Sequence, residues 1–206
     1  MSNSKSGLRA SKKQRTRATI LANAIALFQK QGIRATRSAQ IAAASQVSAA
    51  TLFNYFATKN DLAEAWVRGE IRTTLEELAL GQADRGLRPG LRASCRRLAE
   101  SSCQQRGLRL EAWRSAGRAP AESLGQIELL LSFIEREQQR ARLRADLPAS
   151  ALAEMLIEAL EGGLIAGLRA SGDVSEVAAQ IRVRVDLVLD GARKRNERVS
   201  APVPVR

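Results

Sequence analysis

The amino-acid sequence predicts an all-α protein, and three observations support this prediction. The chain is rich in Ala and Leu and carries many Arg and Glu, all of which favour helices, whereas β-branched runs are scarce. Apolar residues recur at helical spacing through most of the chain. Aromatic residues are only 3% of the sequence although apolar residues are 45%, so the core must be aliphatic. We therefore expect about nine helices and no strand.

The first sixty residues predict three short helices, at about residues 16–31, 37–45 and 49–56. Gly32 can adopt a positive φ after the first helix, and Thr36 and Ser48 can cap the second and third. Gln46 and Val47 form the predicted turn between the last two. The apolar positions expected to face inward are Ile20, Ala24, Phe28, Ile41, Leu52 and Phe56.

Residues 36–62, TRSAQIAAASQVSAATLFNYFATKNDL, have the clearest functional meaning in the chain. Two short helical patterns are separated by a tight polar break, and a further helix begins directly after them. This is the outline of a helix-turn-helix module, whose second helix is built to enter the major groove of DNA. We therefore expect residues 49–56 to be the recognition helix.

Positive charge is concentrated at the same end of the chain. The formal net charge is +12, and residues 1–62 contain 10 Lys or Arg residues against one acidic residue, Asp61. The rest of the chain is close to neutral. A basic segment coupled to a helix-turn-helix is typical of a protein that binds a polyanion.

The recognition helix offers few groups for reading bases. Asn54 could pair with an adenine edge, Thr51 could donate to a base or a phosphate, and the methyl groups of Ala49 and Ala50 could pack on thymine methyl groups. Asn54 could also be an ordinary surface residue. Residues placed for phosphate contacts are Lys12, Lys13, Arg15, Arg17, Arg37, Ser38 and Lys59.

The segment from about residue 15 to residue 66 closely resembles the N-terminal domain of the TetR family of bacterial transcriptional regulators. The residues that carry this resemblance are Ile20 to Ala24, Leu27, Phe28, Gly32, Ile41, Ala42, Val47, Ser48, Thr51 to Phe56, Lys59 and Leu62. The resemblance implies a homodimeric, all-helical repressor whose variable C-terminal domain binds a small effector. Carried over by position, it implies that the residues facing DNA are Ser38, Ala39, Ser48, Ala49, Ala50, Thr51, Asn54 and Tyr55, with Lys59 on the backbone.

Two residues depart from the family pattern. Gln46 stands where the family usually has Gly, so we expect a turn of different shape. Phe53 stands where the family usually has Tyr, so the hydrogen bond of that hydroxyl to phosphate is not available. Because base-facing hydrogen-bond donors and acceptors are few, we predict that DNA binding depends strongly on residues 1–14 and on DNA shape.

The expected domain organisation follows from these patterns. Its parts are a flexible basic arm (1–14), a helix-turn-helix DNA-binding domain (15–60), a helical effector-binding and dimerisation domain (61–195) and a frayed tail (196–206). Two apolar strips near the C-terminus predict a four-helix dimer core, although both could instead be core within one chain. The strip residues are Leu152, Leu156, Leu160, Gly163, Gly167, Val177, Ile181, Val185 and Val188.

The candidate effector pocket would lie among the fourth to eighth helices, lined by Trp66, Cys103, Trp113 and Phe133. Each of these could equally be simple core. The chain has no His, and its two cysteines are too few for a disulfide framework or a four-cysteine metal site. We therefore expect no metal and no cofactor, and an apolar or weakly polar organic effector. Two reduced thiols are expected, with redox sensing by Cys95 or Cys103 as the alternative.

The expected function is that of a cytoplasmic, dimeric repressor that an effector releases from a palindromic operator. No stretch of about 18 apolar residues exists, and the basic N-terminus lacks the apolar core of a signal peptide. A rival within DNA binding is an activator, or a nucleoid or partner-controlled protein without a small ligand. An enzyme is the rival of another class, and the missing His and the absence of any nucleophile–base spacing count against it.

Overall fold

The computed structural model describes residues 3–81, 86–116 and 120–193, and over these ranges it contains nine α-helices and no strand. The all-α prediction is therefore confirmed. In chain order the helices are α1 (Asn3–Gln31), α2 (Ser38–Ala44), α3 (Ala49–Tyr55), α4 (Lys59–Gly81), α5 (Leu87–Cys103), α6 (Arg106–Ser115), α7 (Pro120–Gln139), α8 (Ala149–Ala170) and α9 (Val174–Gly191). None of the described helices is both long and apolar enough to cross a bilayer. The predicted tail, 196–206, lies outside the described residues.

A small hydrophobic core joins α1, α2, α3 and the first part of α4, and we call this unit, residues 20–67, the head. The side chains at its centre are large and completely enclosed, so burial of apolar surface fixes the three short helices against each other. All six positions expected to face inward are buried, namely Ile20, Ala24, Phe28, Ile41, Leu52 and Phe56.

Helix α1 begins well before its predicted start. We expected residues 1–14 to be a flexible arm, but α1 begins at Asn3 and runs through Gln31 without interruption. The reason is local: Leu8, Arg9, Ala10 and the residues after them have good helix propensity, and a formed helix propagates at little cost. The first buried side chain of α1 in the described part is Ile20, so a long basic stretch of helix precedes the head.

The turn between α2 and α3 keeps the left-handed conformation that glycine would favour. Gln46 has φ +54°. The N–H of Val47 donates to Ala42 O at 3.0 Å, and the N–H of Gln46 donates to Ala43 O at 3.1 Å. This pair of bonds is the Schellman pattern that closes a helix C-terminus. The expectation of a differently shaped turn was therefore wrong, because the two bonds hold Gln46 in the conformation despite its side chain.

The second hydrophobic core lies in the C-terminal part of the chain, which we call the body (residues 68–193). There α8 packs closely against α9. A Cβ atom on Gly163 would lie 2.5 Å from Ile181 Cα, and one on Gly167 would lie 2.6 Å from Val177 Cα. Since real Cβ contacts are essentially never that short, the two glycines let the backbones of α8 and α9 approach within one chain.

This packing gives most residues of the predicted dimer interface partners within their own chain. The two apolar strips face each other and the rest of the body core, so they are not available to a partner in this conformation. Gly163 and Gly167 are buried, Val188 is half-buried, and the fully enclosed strip residues are Leu152, Leu156, Leu160, Val177, Ile181 and Val185. The periodicity marks contacts within the chain, which is the alternative that the sequence also allows.

An ionic contact ties α5 to α9 at the edge of the body. Asp186 accepts from Arg92 Nη2 at 2.7 Å and from Arg88 Nη1 at 3.0 Å. The hydrogen bond from Arg92 lowers the pKa of Asp186 below 3.8, and burial opposes this effect. The carboxylate therefore stays ionised at neutral pH and bridges two helices that are far apart in sequence.

Candidate DNA-binding interface

Helix α3 presents its outer face to solvent because its inner face is anchored in the head. Leu52 is 1% exposed and Phe56, which caps the C-terminus of α3, is 3% exposed. On the opposite side Ala49, Ala50 and Asn54 are exposed, and Phe53 retains 48% of its surface. Tyr55 is half-buried at the edge. Most of the residues predicted to face DNA on α3 thus share one accessible surface.

The N-terminus of α3 is fixed by two hydroxyl groups. Ser48 Oγ accepts from the backbone N–H of Thr51 at 3.0 Å, and the hydroxyls of Ser48 and Thr51 lie 2.8 Å apart in a shared hydrogen bond. The cap that the sequence predicted at Ser48 is present. Because both hydroxyls take part in the cap, Asn54 is left as the side chain of the α3 face with a full set of hydrogen-bonding groups for a base edge.

Further predicted DNA-facing residues lie at the starts of α2 and α4. One of them, Lys59, also has a structural role. Arg37 and Ala39 are exposed and Ser38 is half-buried at the N-terminus of α2. Lys59 donates from Nζ to Arg34 O at 3.1 Å and to Thr36 O at 2.9 Å. Lys59 therefore fixes the loop that leads into α2, a role that its position in the sequence did not indicate.

Two basic residues of α1, Lys12 and Arg15, lie next to the α2–α3 turn. A surface groove of about 640 Å³ separates the two, and its lining consists of Ser11, Lys12, Arg15, Thr16, Thr19, Ser45 and Val47. Lys13 is exposed on the same stretch of α1. The structure thus brings the predicted phosphate-binding residues Lys12 and Arg15 to the same edge of the head as the turn before the recognition helix.

Two further contacts hold α1 against the turn and against α3. Asn23 Nδ2 donates to Ala44 O at 3.2 Å and to Ser45 Oγ at 3.3 Å. The guanidinium carbon of Arg17 lies 4.7 Å from the centre of the Phe56 ring, at cation–π distance. Arg17, predicted to contact phosphate, is therefore half-buried over an aromatic ring, and it contributes to the packing of the head.

The four residues predicted to line an effector pocket do not form one group. Trp66 is buried in the core of the head, whereas Phe133 is buried in the core of the body. Cys103 packs against the body core at the end of α5. Trp113 packs against both cores, so it lies at the junction between head and body.

A buried ionic network surrounds this junction. Arg68 donates from Nε to Glu64 at 2.9 Å and from Nη1 to Glu161 at 2.6 Å, and its guanidinium lies 5.8 Å from the Trp113 ring centre. Buried ion pairs of this kind lose hydration and depend on well-placed partners. In the sequence, Glu64 and Arg68 resemble an ordinary solvent-exposed pair four residues apart, so this network was not predicted.

A second buried arginine, Arg109, also combines an acidic partner with a tryptophan ring. Arg109 pairs with Glu70, which also accepts from Ser102 Oγ at 3.0 Å. The guanidinium carbon of Arg109 lies 4.9 Å from the Trp66 ring centre. Trp66 and Trp113, two of the predicted pocket residues, thus each have an arginine over one face of the indole.

One polar atom near this network has no partner within the part of the chain that the structure describes. Gln126, which is 1% exposed, donates from Nε2 to Arg68 O at 3.0 Å, but its Oε1 atom is buried without a hydrogen bond. An unsatisfied buried carbonyl is costly unless a water or a ligand donates to it. Gln126 is therefore a polar position of the junction that sequence reasoning missed.

Helix α6 connects the head with the body. Ala112 is buried in the head core, with Leu108 and Trp113 packed against that core. Glu111 also pairs with Arg34 of the head at 3.5 Å. A displacement of α6 would therefore change contacts on both sides of the junction.

Neither cysteine has the properties of a reactive thiol. Burial raises the pKa of the Cys95 thiol from 9.0 to about 11, and the charge of Asp186 adds to this effect. Burial also raises the pKa of Cys103, with a further contribution from Asp173. Both groups are protonated at neutral pH, whereas a redox-sensing cysteine needs thiolate character. Within the described ranges, no cluster of His, Cys, Asp or Glu residues could hold a metal ion.

Comparison with known proteins finds a family match for the head. Residues 20–66 match the family model described as bacterial regulatory proteins, tetR family. No curated protein sequence matches the chain.

Solved structures resemble the chain along most of its length. Thermus thermophilus FadR, a TetR-family transcriptional repressor solved with lauroyl-CoA, superposes with a TM-score of 0.68 at 22% identity, over 92% of this chain and 100% of its own. A TetR-family regulator of Pectobacterium atrosepticum gives 0.63 at 22% identity, over 90% and 97%. SmeT, solved in a complex with triclosan, gives 0.55 at 19% identity, over 92% and 99%. Residues 20–66 thus match the tetR family of bacterial regulatory proteins, and the chain shares the fold of these TetR-family structures.

Proposed function

We propose that the chain is a transcriptional repressor of the cytoplasm that binds a palindromic operator as a homodimer and leaves it when a small organic effector binds. The observation that carries the DNA-binding part is the geometry of α3. The helix is short, capped by Ser48 and anchored by Leu52, and its outer face is free to enter a major groove. The family match of the same residues supports this interpretation.

The homodimer needs an interface other than the predicted strips. The outer faces of α8 and α9 carry three exposed apolar side chains, Met155, Val183 and Leu187, with exposed fractions of 51%, 54% and 67%. Gly162 on α8 lies 4.0 Å, measured from its ideal Cβ position, from Arg184 Cδ on α9, so these outer faces adjoin. We infer that the twofold axis of the dimer passes through this surface and that the two heads lie on one side of it, as paired half-sites require.

Release by an effector would act through the junction between head and body. Two similar proteins hold organic ligands, lauroyl-CoA in FadR and triclosan in SmeT, which are chemically unlike each other. In this chain, Gln126 Oε1 and the arginine-covered tryptophans mark the place where a ligand would alter existing contacts. A ligand that displaces α4 or α6 there would change the separation of the heads, provided that it favours the state with the wrong spacing.

The substitution Asn54→Ala tests the DNA-binding surface. The operator is first obtained by selection from random duplexes, and its affinity is then measured for wild type and variant by fluorescence anisotropy. We expect a loss of about 5- to 150-fold per half-site, because Asn54 is the amide on the α3 face and one bidentate base contact contributes about 1–3 kcal/mol. Gln139→Ala, at an exposed position of the body, is the matched control and should bind like wild type. Equal affinities for all three proteins would exclude α3 as the reading helix.

A further inference from the structure

The outer face of α3 is unusually apolar for a surface that reads bases. Ala49 and Ala50 are exposed, and Phe53 lies one helical turn after both of them, at i+4 and i+3. Thr51 is half-buried and its hydroxyl is engaged by Ser48. The exposed side-chain groups of this face are thus two methyl groups, a phenyl ring and the amide of Asn54, with Thr51 and Tyr55 half-buried beside them.

Phe53 is the large apolar side chain on this face of α3, and its ring is exposed. Among the described residues of the head it is the large apolar side chain that stays exposed, at 48% of its surface, while Phe28 and Phe56 are buried. Leaving such a ring in water gains nothing for folding. The ring is therefore accessible to a partner outside the chain.

The charges around this apolar patch identify the kind of partner. Lys12 and Arg15 line the groove beside the α2–α3 turn, and Arg37 is exposed at the start of α2. An apolar patch on a head that also carries these exposed cations suits the major groove of DNA, where phosphates lie on both sides and the methyl group of thymine is the apolar feature of the floor. Cytosine and uracil lack this methyl group.

We propose that Phe53, together with Ala49 and Ala50, determines operator specificity by packing against thymine methyl groups in each half-site. This inference rests on the proposed DNA-binding function and adds the chemical feature that α3 reads. Phe53 is a specificity-determining residue, and Asn54 fixes the register beside it. The operator half-site accordingly contains thymines that are selected for their methyl groups and not for hydrogen bonds to the base edge.

Replacing thymine by deoxyuridine tests this inference, because the exchange removes the methyl group and leaves base pairing unchanged. Each thymine of the selected half-site is exchanged in turn, and the affinity of the full-length protein is measured at constant salt. At the contacted positions we expect a loss of about fourfold per methyl group for wild type. Exchanges outside the half-sites serve as the control and should have no effect.

Two variants assign the effect to Phe53. Phe53→Ala should bind the thymine operator more weakly and should lose the distinction between thymine and deoxyuridine at the positions that Phe53 contacts, while positions contacted by Ala49 and Ala50 keep it. Phe53→Tyr keeps the ring and should keep the discrimination. Thermal unfolding of each variant verifies that the head is folded.

The outcomes separate this inference from the proposed function. If wild type binds the selected operator but tolerates deoxyuridine at every half-site position, the methyl-reading proposal is overturned while DNA binding stands. If Phe53→Ala discriminates as strongly as wild type, Phe53 is not the reading residue. If no duplex is selected, DNA binding itself fails, and this inference fails with it.

Discussion

Gln46 holds a backbone conformation that costs free energy at a central point of the head. Its φ of +54° lies in the left-handed region, which L residues with a Cβ atom occupy at a cost of about 1–2 kcal/mol. The bonds from Val47 and Gln46 to the last carbonyls of α2 compensate for this cost. The turn therefore keeps its shape with a residue that is poorly suited to it.

The substitution Gln46→Gly should raise the free energy of unfolding by about 0.5–1 kcal/mol, since removal of the strain outweighs the added entropy of the unfolded chain. Chemical denaturation measures the change. Gln46→Ala retains the Cβ atom and serves as the matched control, with no expected gain. A midpoint for the glycine variant equal to or below that of wild type would show that the turn stores no strain.

At the scale of single elements, the glycines of α8 set the distance to α9. Because a Cβ atom on Gly163 would lie 2.5 Å from Ile181 Cα, and the contacted atom is backbone, relief requires α9 to move as a unit. Gly69 on α4 is also helical, but nothing lies within 4 Å of its Cβ position. Gly163 and Gly69 thus differ in packing and share their helical conformation.

We expect Gly163→Ala to lower the free energy of unfolding by about 2 kcal/mol or more. Gly69→Ala should raise it by up to about 1 kcal/mol, because alanine favours the helix and meets no neighbour. Thermal and denaturant unfolding of both variants measure the difference. Stabilisation of the two variants to the same extent would contradict the close packing of α8 on α9.

The basic stretch of α1 is a second element, and its expected contribution to DNA binding can be measured. As a helix it is too wide for a minor groove about 6 Å across, so we expect its lysines and arginines to contact phosphates along the edge of the major groove. The groove between Lys12, Arg15 and the α2–α3 turn is the place where such contacts would meet those of α3.

Deletion of residues 1–14 should weaken operator binding strongly. It should also reduce the dependence of affinity on salt, by about one unit of log–log slope for each DNA phosphate that the truncated chain no longer neutralises. Titrations of wild type and the truncated chain at several salt concentrations measure both quantities. Unchanged affinity at physiological salt would mean that the stretch does not bind DNA.

At the scale of the whole molecule, the sequence predicted which residues face inward better than it predicted what those residues contact. The inner face of the head was predictable because Ser48, Leu52 and Phe56 combine a cap with apolar residues four apart. The contact partner of the apolar strips on α8 and α9 was not predictable. An apolar strip has the same period whether it packs against its own chain or against another chain. The Glu64–Arg68 pair shows the same difficulty, since i, i+4 spacing says nothing about burial.

The outer faces of α8 and α9 give the revised dimer proposal a direct test. Leu187→Glu places a charge on the proposed interface and should produce a monomer that binds the operator weakly, because single heads lose the combined affinity of two half-sites. Leu80→Glu is the matched control, since Leu80 is 90% exposed on α4 and its variant should remain dimeric. Analytical ultracentrifugation distinguishes the two states. A dimeric Leu187→Glu protein would rule out this surface.

The central claim, that two heads of one dimer read DNA together, is tested most directly by sequencing the duplexes that the purified full-length chain retains from a random pool. We predict enrichment of an inverted repeat whose half-sites are centred about 34–36 Å apart, or a small multiple of that distance, on one face of the duplex. Retention of duplexes with no shared sequence at low salt, or enrichment of a single unrepeated half-site, would contradict it.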